Sequence, residues 1–470
     1  MTDERAAEKR FDVAVVGAGP AGYVAAIRLA QLGRKVAVVE RERAGGICLN
    51  WGCIPMKALL HAAHVVRSAA EARTMGIVFE HPQIDLIGML GWKSRIVERL
   101  VKGIEFLFKA SGVELIAGQA RFVEVNRLEV ATANGSATAV VADKVVIATG
   151  SKPLVLPGLE FDGQVVIDSN TALGLVERPA RMVIVGAGAV GLEFATFFSR
   201  LGTKVVVLEL AEQILPGTDR EVASGLERLM RREGIDIRLK HAVKAVAATS
   251  PARVVCSNGG PEQIVETDKV LVAAGRVPLT DELNLTALGV ETDARGFIKT
   301  GAGYQTSIQG IYAIGDVRGG QMLAHKAMAE GLALAEMLGG GKRRFRAVPS
   351  CVYTDPEVAT VGPGEAEARA EGRDVKVAKV PASAVGRSLT LGRGEGLCKL
   401  VVDAGSDAVL GAAILAPQAD VLIAEVAVAV ELGLKAADIG RVVHPHPTMS
   451  ELLFEAAEAI HGRAVHVLNR

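Results

Sequence analysis

Two closely spaced cysteines, Cys48 and Cys53, are the residues of this chain whose type and spacing best suit redox chemistry. Residues five apart in an ideal α-helix lie roughly 8.6 Å apart at Cα, whereas a disulfide needs about 4.4–6.8 Å. If the two cysteines bridge, the backbone must leave helical geometry, and Gly52 and Pro55 are placed to allow this. Such a bridge would be a working disulfide, and the alternative is two packed thiols at the start of a helix.

A histidine and a glutamate near the C-terminus, His446 and Glu451, could supply a base. A thiol–disulfide enzyme needs one because the thiolate is the nucleophile, and a histidine oriented by a carboxylate is a general acid/base. Thr448 and Glu451 also have the spacing of a capping box, so Glu451 could merely close a helix over 452–460. The spacing leaves both interpretations open, and we expect one carboxylate to serve only one of these purposes well.

A duplicated glycine-rich segment provides the setting for these residues. Residues 11–40 predict a strand, a GxGxxG turn, a helix and a second strand that ends at Glu40; the same pattern recurs and ends at Glu209. The first glycine makes the turn, the second admits a pyrophosphate, the third lets helix and strand pack, and the acid binds a ribose hydroxyl. The glycines are Gly17, Gly19 and Gly22 in the first turn and Gly186, Gly188 and Gly191 in the second. Two dinucleotide sites are therefore predicted.

A second internal repeat indicates where the domains divide. Residues 143–153 and 268–278 both predict a buried strand that breaks at glycine and leaves at proline, which places domain boundaries near 152 and 278. Further along, the strand 310–316 ends in Gly-Asp, where the carboxylate of Asp316 could meet a hydroxyl of a flavin or simply close a turn. A helix over 328–338 follows, and its N-terminal dipole could face the electron-rich end of a flavin ring.

The composition fits a large enzyme. Basic and acidic residues balance at 53 each, which argues against nucleic acid or an anionic membrane as the main partner. The longest apolar stretch, 421–434, is interrupted by Glu425 and Glu431 and is shorter than the roughly 20 residues of a membrane span. Five cysteines in 470 residues are no secretory framework. Residues 1–10 resemble neither a signal peptide nor a transit helix, so we expect a cytoplasmic protein.

Several further segments resemble one family of enzymes. Along nearly its whole length the chain is similar to the flavoprotein disulfide reductases, the class I pyridine nucleotide-disulfide oxidoreductases. Within them it resembles the members that oxidise protein-bound dihydrolipoyl groups. Besides the two glycine turns, the matching segments are GGICLNWGCIPMK (45–57), ATGS (148–151), LPGLEFDG (156–163), AAGRVP (273–278), IYAIGDV (311–317), LAHKAMAEG (323–331), YTDPEVATVG (353–362) and HPHPTMSE (444–451).

The resemblance implies an α/β fold with two tandem Rossmann-like dinucleotide-binding domains and an α+β C-terminal interface domain. The first binds FAD, the second binds NAD, and no metal site is expected. The implied domains are 1–152 (FAD-binding domain, first part), 153–278 (NAD-binding domain), 279–347 (central part of the FAD-binding domain) and 348–470 (interface domain of a homodimer).

The resemblance also implies which residues bind the cofactors. FAD is expected at Gly17, Gly19, Gly22, Glu40, Lys57, Thr149, Gly150, Asp316 and Ala324. NAD is expected at Gly186, Gly188, Gly191, Glu193, Glu209 and Gly275. On the same pattern, Lys57 pairs with Glu193 beside the flavin.

The catalytic residues implied by the family are Cys48, Cys53, His446 and Glu451. A dihydrolipoyl group, deprotonated by His446 of the partner subunit, attacks Cys48. Cys53, nearer the flavin, is then released as a thiolate and passes the electron pair to FAD, and a hydride finally reaches NAD+. The implied partners are the lipoyl domains of acyltransferases or of glycine-cleavage H-type proteins.

Other functions fit these residues less well. Reductases that use NADPH would have basic residues after the second strand, whereas Glu209 is followed by Leu-Ala-Glu. Mercuric reductases and large thioredoxin reductases carry a second redox-active pair at the C-terminus, where residues 467–470 contain no cysteine. A flavin transhydrogenase or oxidase would not need Cys48 and Cys53. A non-catalytic nucleotide-binding scaffold would need neither these cysteines nor His446.

Overall fold

The computed structural model describes residues 8–80, 82–132 and 135–469. Within these ranges the chain forms two compact units. The first unit contains the residues up to Leu59 together with Asp85–Leu154 and Gly275–Arg344; the second contains Leu60–Ile84, Val155–Ala274 and the residues from Phe345 onward. The ends of the predicted first and last domains, residues 1–7 and Arg470, lie outside the described residues. So does most of the segment from which the absence of a targeting sequence was predicted.

The helices are α1 (Pro20–Gln31), α2 (Gly46–Trp51), α3 (Cys53–Glu71), α4 (Leu86–Ser111), α5 (Ser169–Ala172), α6 (Ala189–Arg200), α7 (Arg220–Arg232), α8 (Leu285–Leu288), α9 (Ala324–Leu338), α10 (Glu365–Ala370), α11 (Gly386–Thr390), α12 (Ala419–Leu432), α13 (Ala436–Gly440) and α14 (Glu451–Ile460). Helix α9 begins at Ala324, four residues before the predicted start at Met328. The intervening residues contain neither glycine nor proline, so nothing in them interrupts the helix.

The strands are β1 (Glu8–Val16), β2 (Val36–Glu40), β3 (Glu114–Ala117), β4 (Gln119–Glu124), β5 (Arg127–Ala131), β6 (Ala137–Ile147), β7 (Ser151–Pro153), β8 (Val166–Ile167), β9 (Arg181–Val185), β10 (Lys204–Leu208), β11 (Asp236–Arg238), β12 (Ala242–Ala247), β13 (Ala252–Ser257), β14 (Gln263–Thr267), β15 (Lys269–Val272), β16 (Arg276–Pro278), β17 (Ile311–Ala313), β18 (Ser350–Val352), β19 (Glu357–Val361), β20 (Val375–Pro381), β21 (Leu397–Asp403) and β22 (Val409–Ala416).

The first unit is built on a sheet with the strand order β3-β2-β1-β6-β5-β4, in which β17 also pairs with β6. Strands β3, β2, β1, β6 and β17 are parallel to their neighbours, whereas β4, β5 and the start of β6 form an antiparallel meander. The last four residues of β1, 13–16, are apolar on both faces, as a central parallel strand requires. Val13 and Val15 belong to the core beneath α1, α4 and α9, and Ala14 and Val16 to the core on the opposite face.

The second unit contains a parallel sheet and an antiparallel sheet. The parallel sheet has the order β11-β10-β9-β15-β8 and carries the second glycine-rich turn after β9. The small antiparallel sheet β12-β13-β14 packs into the same core. The C-terminal part of the chain forms the antiparallel sheet β18-β19-β22-β21-β20, whose core includes α12 and α14.

The expected α/β fold, with two Rossmann-like dinucleotide-binding sheets and an α+β C-terminal part, is confirmed. In both parallel sheets a glycine-rich turn and a helix connect adjacent parallel strands, β1 to β2 and β9 to β10. None of the described helices has the length and apolar character needed to span a membrane.

Gly331 in α9 should tolerate no side chain. A Cβ there would lie 2.6 Å from the carbonyl oxygen of Ala21 in α1, and the two helices pack closely. We expect Gly331→Ala to lower the free energy of unfolding by about 1–3 kcal/mol, the usual cost of overpacking. Gly103→Ala is the matched control, because Gly103 is exposed in the middle of α4 and its Cβ would meet no described atom within 4 Å. The control should gain about 0.5–1 kcal/mol in helix propensity. Denaturant titration of both variants measures the difference, and equal losses would contradict the packing argument.

Candidate active site

The first and third glycines of both glycine-rich turns are required by the backbone. Gly17 and Gly186 have φ values of +104° and +105°, a region that side chains rarely adopt. A Cβ on the third glycine would lie 1.9 Å from the carbonyl oxygen of Gly17 in the case of Gly22, and 2.0 Å from that of Gly186 in the case of Gly191. Only glycine lets the helix begin so close to the strand that precedes it.

The second glycine of each turn is required by no atom of the chain itself. A Cβ on Gly188 would meet no described atom within 4 Å, and a Cβ on Gly19 would come within 3.9 Å of Gly46. Both glycines precede the first residue of a helix, α1 or α6, and in neither case does a side chain within the described residues cap the N–H groups there. A helix N-terminus with open N–H groups and no side chain above it suits a pyrophosphate. Both turns therefore fit a dinucleotide.

The two strand-terminal glutamates have a structural task that the sequence analysis missed. The Oε2 atom of Glu40 accepts the N–H of Ala18 at 2.7 Å, and that of Glu209 accepts the N–H of Ala187 at 2.6 Å. Each acid thus closes its own glycine turn. The expected contact of Glu40 and Glu209 with a ribose hydroxyl stays a prediction. In the first unit, Glu40 lines a cavity of about 240 Å³ together with Gly17 and Thr149.

The backbone between the two cysteines leaves helical geometry at Gly52. Helix α2 ends at Trp51, Gly52 has φ −143° and ψ −109°, and α3 begins at Cys53. The break that the spacing required is therefore confirmed. Pro55 lies in the first turn of α3, where its missing N–H costs no helical hydrogen bond. Both cysteines are partly buried thiols, and their side chains are hydrogen-bonded to each other.

The thiol pair can carry one negative charge more easily than two. The hydrogen bond to Cys53, followed by burial and the charge of Cys53, raises the pKa of Cys48 far above its ordinary value. Lys57 and the N–H of Cys53 act in the opposite direction. A negative charge on one thiol therefore opposes a second charge on the other, so the reduced pair keeps a proton. Burial also raises the pKa of Tyr23 in α1.

Asp316 lies in a turn after β17 and is held by a hydrogen-bond chain. Its Oδ2 atom accepts the hydroxyl of Ser151 at 2.7 Å, and Ser151 in turn accepts Nε of Arg276 at 2.7 Å. The neighbouring Thr149 donates its hydroxyl to the carbonyl of Leu279 at 2.7 Å. Asp316, Thr149 and Gly150, which has φ +77°, therefore belong to one connected region of the first unit. Their expected contact with FAD stays a prediction.

Glu330 is a buried carboxylate that the sequence analysis missed. It is 1% exposed and accepts the N–H of Gly315 at 2.7 Å, Nη1 of Arg318 at 2.6 Å and Nζ of Lys326 at 3.1 Å. Through these bonds, Glu330 in α9 holds the turn that carries Asp316. The predicted FAD residue Ala324 is the first residue of the same helix. The sequence does contain a signal, because Glu330 lies on the apolar face of α9, where a charge needs partners.

Three further residues were predicted to lie at the cofactors: Glu193 in the second unit, and Gly275 and Lys57 in the first. Glu193 in α6 is 4% exposed and accepts the N–H of Tyr353 at 3.0 Å. Gly275, the first residue of its segment of the first unit, has φ +136° and a carbonyl that accepts the N–H of Leu154. Lys57 is the fifth residue of α3. The pairing of Lys57 with Glu193 stays a prediction.

His446 and Glu451 are hydrogen-bonded, and Glu451 also accepts a backbone N–H. Its Oε1 atom lies 2.8 Å from Nδ1 of His446, and its Oε2 atom accepts the N–H of Thr448 at 2.9 Å. A carboxylate has two oxygens, so it can orient the imidazole and bind the loop just before α14. The capping box expected at Thr448 and Glu451 is not formed, because Ser450 is the N-cap and no side chain among the described residues caps the helix. Burial opposes ionisation, but the bonds from His446 and Thr448 lower the pKa of Glu451. His446 itself is 76% exposed at its side chain.

A second histidine–glutamate pair joins α14 to the segment that follows it and was not expected. Nδ1 of His466 lies 2.7 Å from Oε1 of Glu455, which is one turn beyond Glu451 in α14. The hydrogen bond and charge of Glu455 raise the pKa of His466. No motif spacing links positions 455 and 466, so the sequence analysis offered no signal for this pair.

Gly188→Ala and Gly191→Ala should separate binding from stability. We expect Gly191→Ala to lower the free energy of unfolding by about 1–3 kcal/mol, because its Cβ overlaps a carbonyl oxygen. Gly188→Ala should leave stability nearly unchanged, since its φ of −76° suits any residue, and weaken NAD+ binding because the new methyl occupies the pyrophosphate position. Denaturant titration and NAD+ titration of each variant measure these effects. Unchanged NAD+ affinity in Gly188→Ala would contradict the role of this glycine.

The chain matches two family models. Residues 11–331 match the pyridine nucleotide-disulphide oxidoreductase model, and residues 348–457 match the dimerisation domain of the pyridine nucleotide-disulphide oxidoreductases. The second match supports a homodimer.

The relatives in the comparison cover nearly the whole chain. A dihydrolipoyl dehydrogenase of Thermus scotoductus is 46% identical, with 98% of this chain and 100% of the relative covered. A dihydrolipoyl dehydrogenase of Halobacterium salinarum is 43% identical, with 98% of each covered. Among solved structures, a Cu(II) complex of the HOCl-induced flavoprotein disulfide reductase RclA from Escherichia coli has a TM-score of 0.85 at 28% identity, with 96% of this chain and 99% of that chain covered.

Proposed function

The chain belongs to the pyridine nucleotide-disulphide oxidoreductase family, and we propose that it oxidises protein-bound dihydrolipoyl groups to lipoyl groups and reduces NAD+. The resemblance drawn from its motifs is confirmed. One observation carries the proposal: two hydrogen-bonded thiols, Cys48 and Cys53, follow the first glycine-rich turn in a chain that is similar to dihydrolipoyl dehydrogenases along its whole length.

The chain uses FAD and NAD as cofactors, and its residues fit both. Bound FAD accepts an electron pair from a dithiol, and NAD+ removes that pair as a hydride. The first turn, with Gly19 above the open N-terminus of α1, would hold the pyrophosphate of FAD, and the second turn, with Gly188 and α6, would hold that of NAD. Asp316 would bind a hydroxyl of the flavin side chain, oriented by Ser151.

The proposed chemistry of the chain's own residues begins with an oxidised Cys48–Cys53 pair. His446 of the partner subunit takes a proton from one thiol of the dihydrolipoyl group, and Glu451 of the partner subunit stabilises the resulting imidazolium. The thiolate attacks Cys48, a mixed disulfide forms, and Cys53 leaves as a thiolate. The second thiol of the substrate then displaces Cys48, which leaves with a proton. The lipoyl disulfide is thus formed, and both cysteines are reduced.

The electrostatics of the pair support this division of labour. The reduced pair keeps one proton, and we assign that proton to Cys48 and the negative charge to Cys53. Cys48 then serves as the partner for exchange with the substrate, and Cys53 as the electron donor.

The domain organisation and the partners belong to the proposal as well. We assign residues 1–152 and 279–347 to FAD, 153–278 to NAD and 348–470 to the subunit interface, which agrees with the match of 348–457 to a dimerisation domain. The partners are lipoyl domains of acyltransferases or glycine-cleavage H-type proteins, in the cytoplasm.

A steady-state comparison tests the proposed function. Dihydrolipoamide and reduced glutathione are each assayed with NAD+ and with NADP+. We expect turnover with dihydrolipoamide and NAD+, and a kcat/KM for NAD+ at least about tenfold above that for NADP+, a factor that requires only about 1.4 kcal/mol. The reason is that Glu209 and the nearby Glu212 would repel a 2′-phosphate.

Glu209→Gln is the informative variant for this preference. Its amide oxygen can still accept the N–H of Ala187 and keep the glycine turn closed, while its charge is lost. The preference for NAD+ should therefore narrow, while the protein loses only the bond from the N–H of Ala211, which the amide nitrogen cannot accept. Equal use of both coenzymes by the wild type would contradict the role of Glu209, and turnover of glutathione without dihydrolipoamide would contradict the proposed substrate.

Mixed dimers test whether His446 acts across the subunit interface. His446→Gln alone should lose activity because the base contributes about 10²–10⁴-fold to the rate. Cys48→Ser alone should lose activity because it removes the sulfur that the substrate attacks. A dimer of one subunit of each kind has one intact site, so subunit exchange should restore up to about a quarter of wild-type activity in a two-fold symmetric dimer. Activity of the mixture is measured after mass spectrometry has shown exchange.

His466→Gln is the matched control for this experiment. It removes a hydrogen-bonded histidine–glutamate pair whose glutamate, Glu455, lies on α14 like Glu451, and it leaves His446 unchanged. It should keep most of the activity alone. No recovery in the exchanged His446→Gln and Cys48→Ser mixture would place His446 in the same subunit as its cysteines or outside the mechanism.

A further inference from the structure

His444 anchors the loop of residues 441–447, which carries the base His446. The structure describes this whole loop, and His444 is its only residue that is not exposed; its side chain is 6% exposed. Two of the loop residues are prolines, which have no N–H to donate, and within the described residues no N–H of 443–447 bonds to a backbone carbonyl. This part of the loop is therefore held by side chains rather than by backbone bonds.

Both ring nitrogens of His444 face acceptors. Nδ1 lies 2.9 Å from the carbonyl oxygen of Val442, and Nε2 lies 3.1 Å from Oε1 of Glu425 in α12. A carbonyl oxygen only accepts, so Nδ1 of His444 is the donor of the first bond. The second bond also needs a proton, which the imidazole and the carboxylate of Glu425 share. His444 is thus bonded both to its own loop and to α12.

The ring of His444 also contacts α14. Its centroid lies 5.8 Å from that of Phe454, and the two rings are tilted by 49°. Phe454 follows Glu451 by three residues, so the two side chains are neighbours on one face of α14. Glu451 is the carboxylate that lies 2.8 Å from Nδ1 of His446. The side chain of His444 therefore contacts both α12 and the helix that orients the base.

We propose that His444 and Glu425 are positioning residues for the base. They fix the loop so that His446 meets Glu451 with Nδ1 and a substrate thiol with its other nitrogen. The side chain of His446 is 76% exposed, so its orientation depends on the backbone that carries it. A misplacement of about 1 Å can cost about 10²-fold in rate. This inference rests on the proposed function, because it requires His446 to deprotonate a dihydrolipoyl thiol.

The test compares a reaction that needs the base with one that does not. Oxidation of dihydrolipoamide by NAD+ requires His446. In the oxidation of NADH by ferricyanide, electrons pass through FAD to the ferricyanide, so the base and the thiols are bypassed. Glu425→Ala in the full-length protein should lower kcat for dihydrolipoamide about tenfold and leave the ferricyanide rate unchanged. Glu425→Gln should retain most of the dihydrolipoamide activity, because its amide can donate to Nε2 of a neutral His444.

A double variant distinguishes positioning from a general structural role. In His446→Gln the base is already absent, so the addition of Glu425→Ala should lower kcat for dihydrolipoamide no further. Two independent losses would instead multiply. A double variant that is slower than His446→Gln by the full factor measured for Glu425→Ala alone would overturn the inference.

Glu431→Ala is the matched control. Glu431 lies on the same helix, α12, and its carboxylate also accepts hydrogen bonds, from the N–H groups of Arg346 and Ala347 at 2.7 and 2.8 Å. These bonds lead to the start of the C-terminal segment rather than to the loop of 441–447. Glu431→Ala should therefore keep the ratio of the dihydrolipoamide and ferricyanide rates.

A second variant keeps the test decisive if Glu425→Ala does not fold. His444→Phe retains a ring against Phe454 but loses both hydrogen bonds of the imidazole. It should lower the ratio of the two rates by a similar factor, about tenfold. Denaturant titration and native mass spectrometry identify the variants that are folded dimers.

The outcomes separate the inference from the proposed function. An unchanged ratio of the two rates in folded Glu425→Ala or His444→Phe protein overturns the inference, and so does an equal fall in both rates. Either result leaves the proposed function standing. A wild-type protein that does not oxidise dihydrolipoamide would overturn the proposed function itself.

Discussion

Both dinucleotide sites depend on one steric constraint, the contact between the third glycine of each turn and the carbonyl oxygen of the first. In each turn the Cα of Gly22 or Gly191 lies so close to that oxygen that no side chain fits. The constraint packs α1 against β1 and α6 against β9. In each unit, the open N–H groups at the start of the helix then face the space above the second glycine of the turn. A helix displaced by even one methyl group would no longer present these groups to a pyrophosphate.

The segment that carries the two cysteines, residues 45–53, is positioned by its contacts with the first of these turns. Gly45 is bonded to Ala18, Gly46 touches Gly19, and Asn50 clamps the start of α2 through its amide nitrogen. The start of α2 is thus fixed in place. The break at Gly52 then brings Cys48 and Cys53, five residues apart in the sequence, into hydrogen-bond contact. The first glycine-rich turn and the segment with the thiol pair are therefore connected by backbone contacts, which are stiffer than contacts between side chains.

Carboxylates serve two purposes each in this protein. Both strand-terminal glutamates close a turn with one oxygen and bond a second N–H with the other. Glu330 satisfies a backbone N–H and two cationic side chains in the core of the first unit. Glu451 is bonded to His446 with one oxygen and to the N–H of Thr448 with the other. Such sharing is favourable because every buried lone pair that accepts a hydrogen bond removes a desolvation cost.

The sequence by itself determined the features that arise from neighbours along the chain. The glycine turns, the strands beside them and the break at Gly52 follow from steric rules that act within a few residues, and the duplicated pattern made them recognisable. The contact of Glu451 with the N–H of Thr448 is equally local, but a spacing rule treats a carboxylate as a single acceptor. Geometry shows that it is two.

Only the tertiary structure decided the contacts between residues that are distant in sequence. The bond from Ser151 to Asp316 spans 165 positions, and no spacing rule relates the two. The task of Glu330 became visible only when Gly315 and Arg318 were placed beside α9. The contacts of His444 with Glu425 and Phe454 are likewise a property of packing. Local sterics can be read from the order of residues, whereas burial and hydrogen-bond satisfaction depend on which segments the fold brings together.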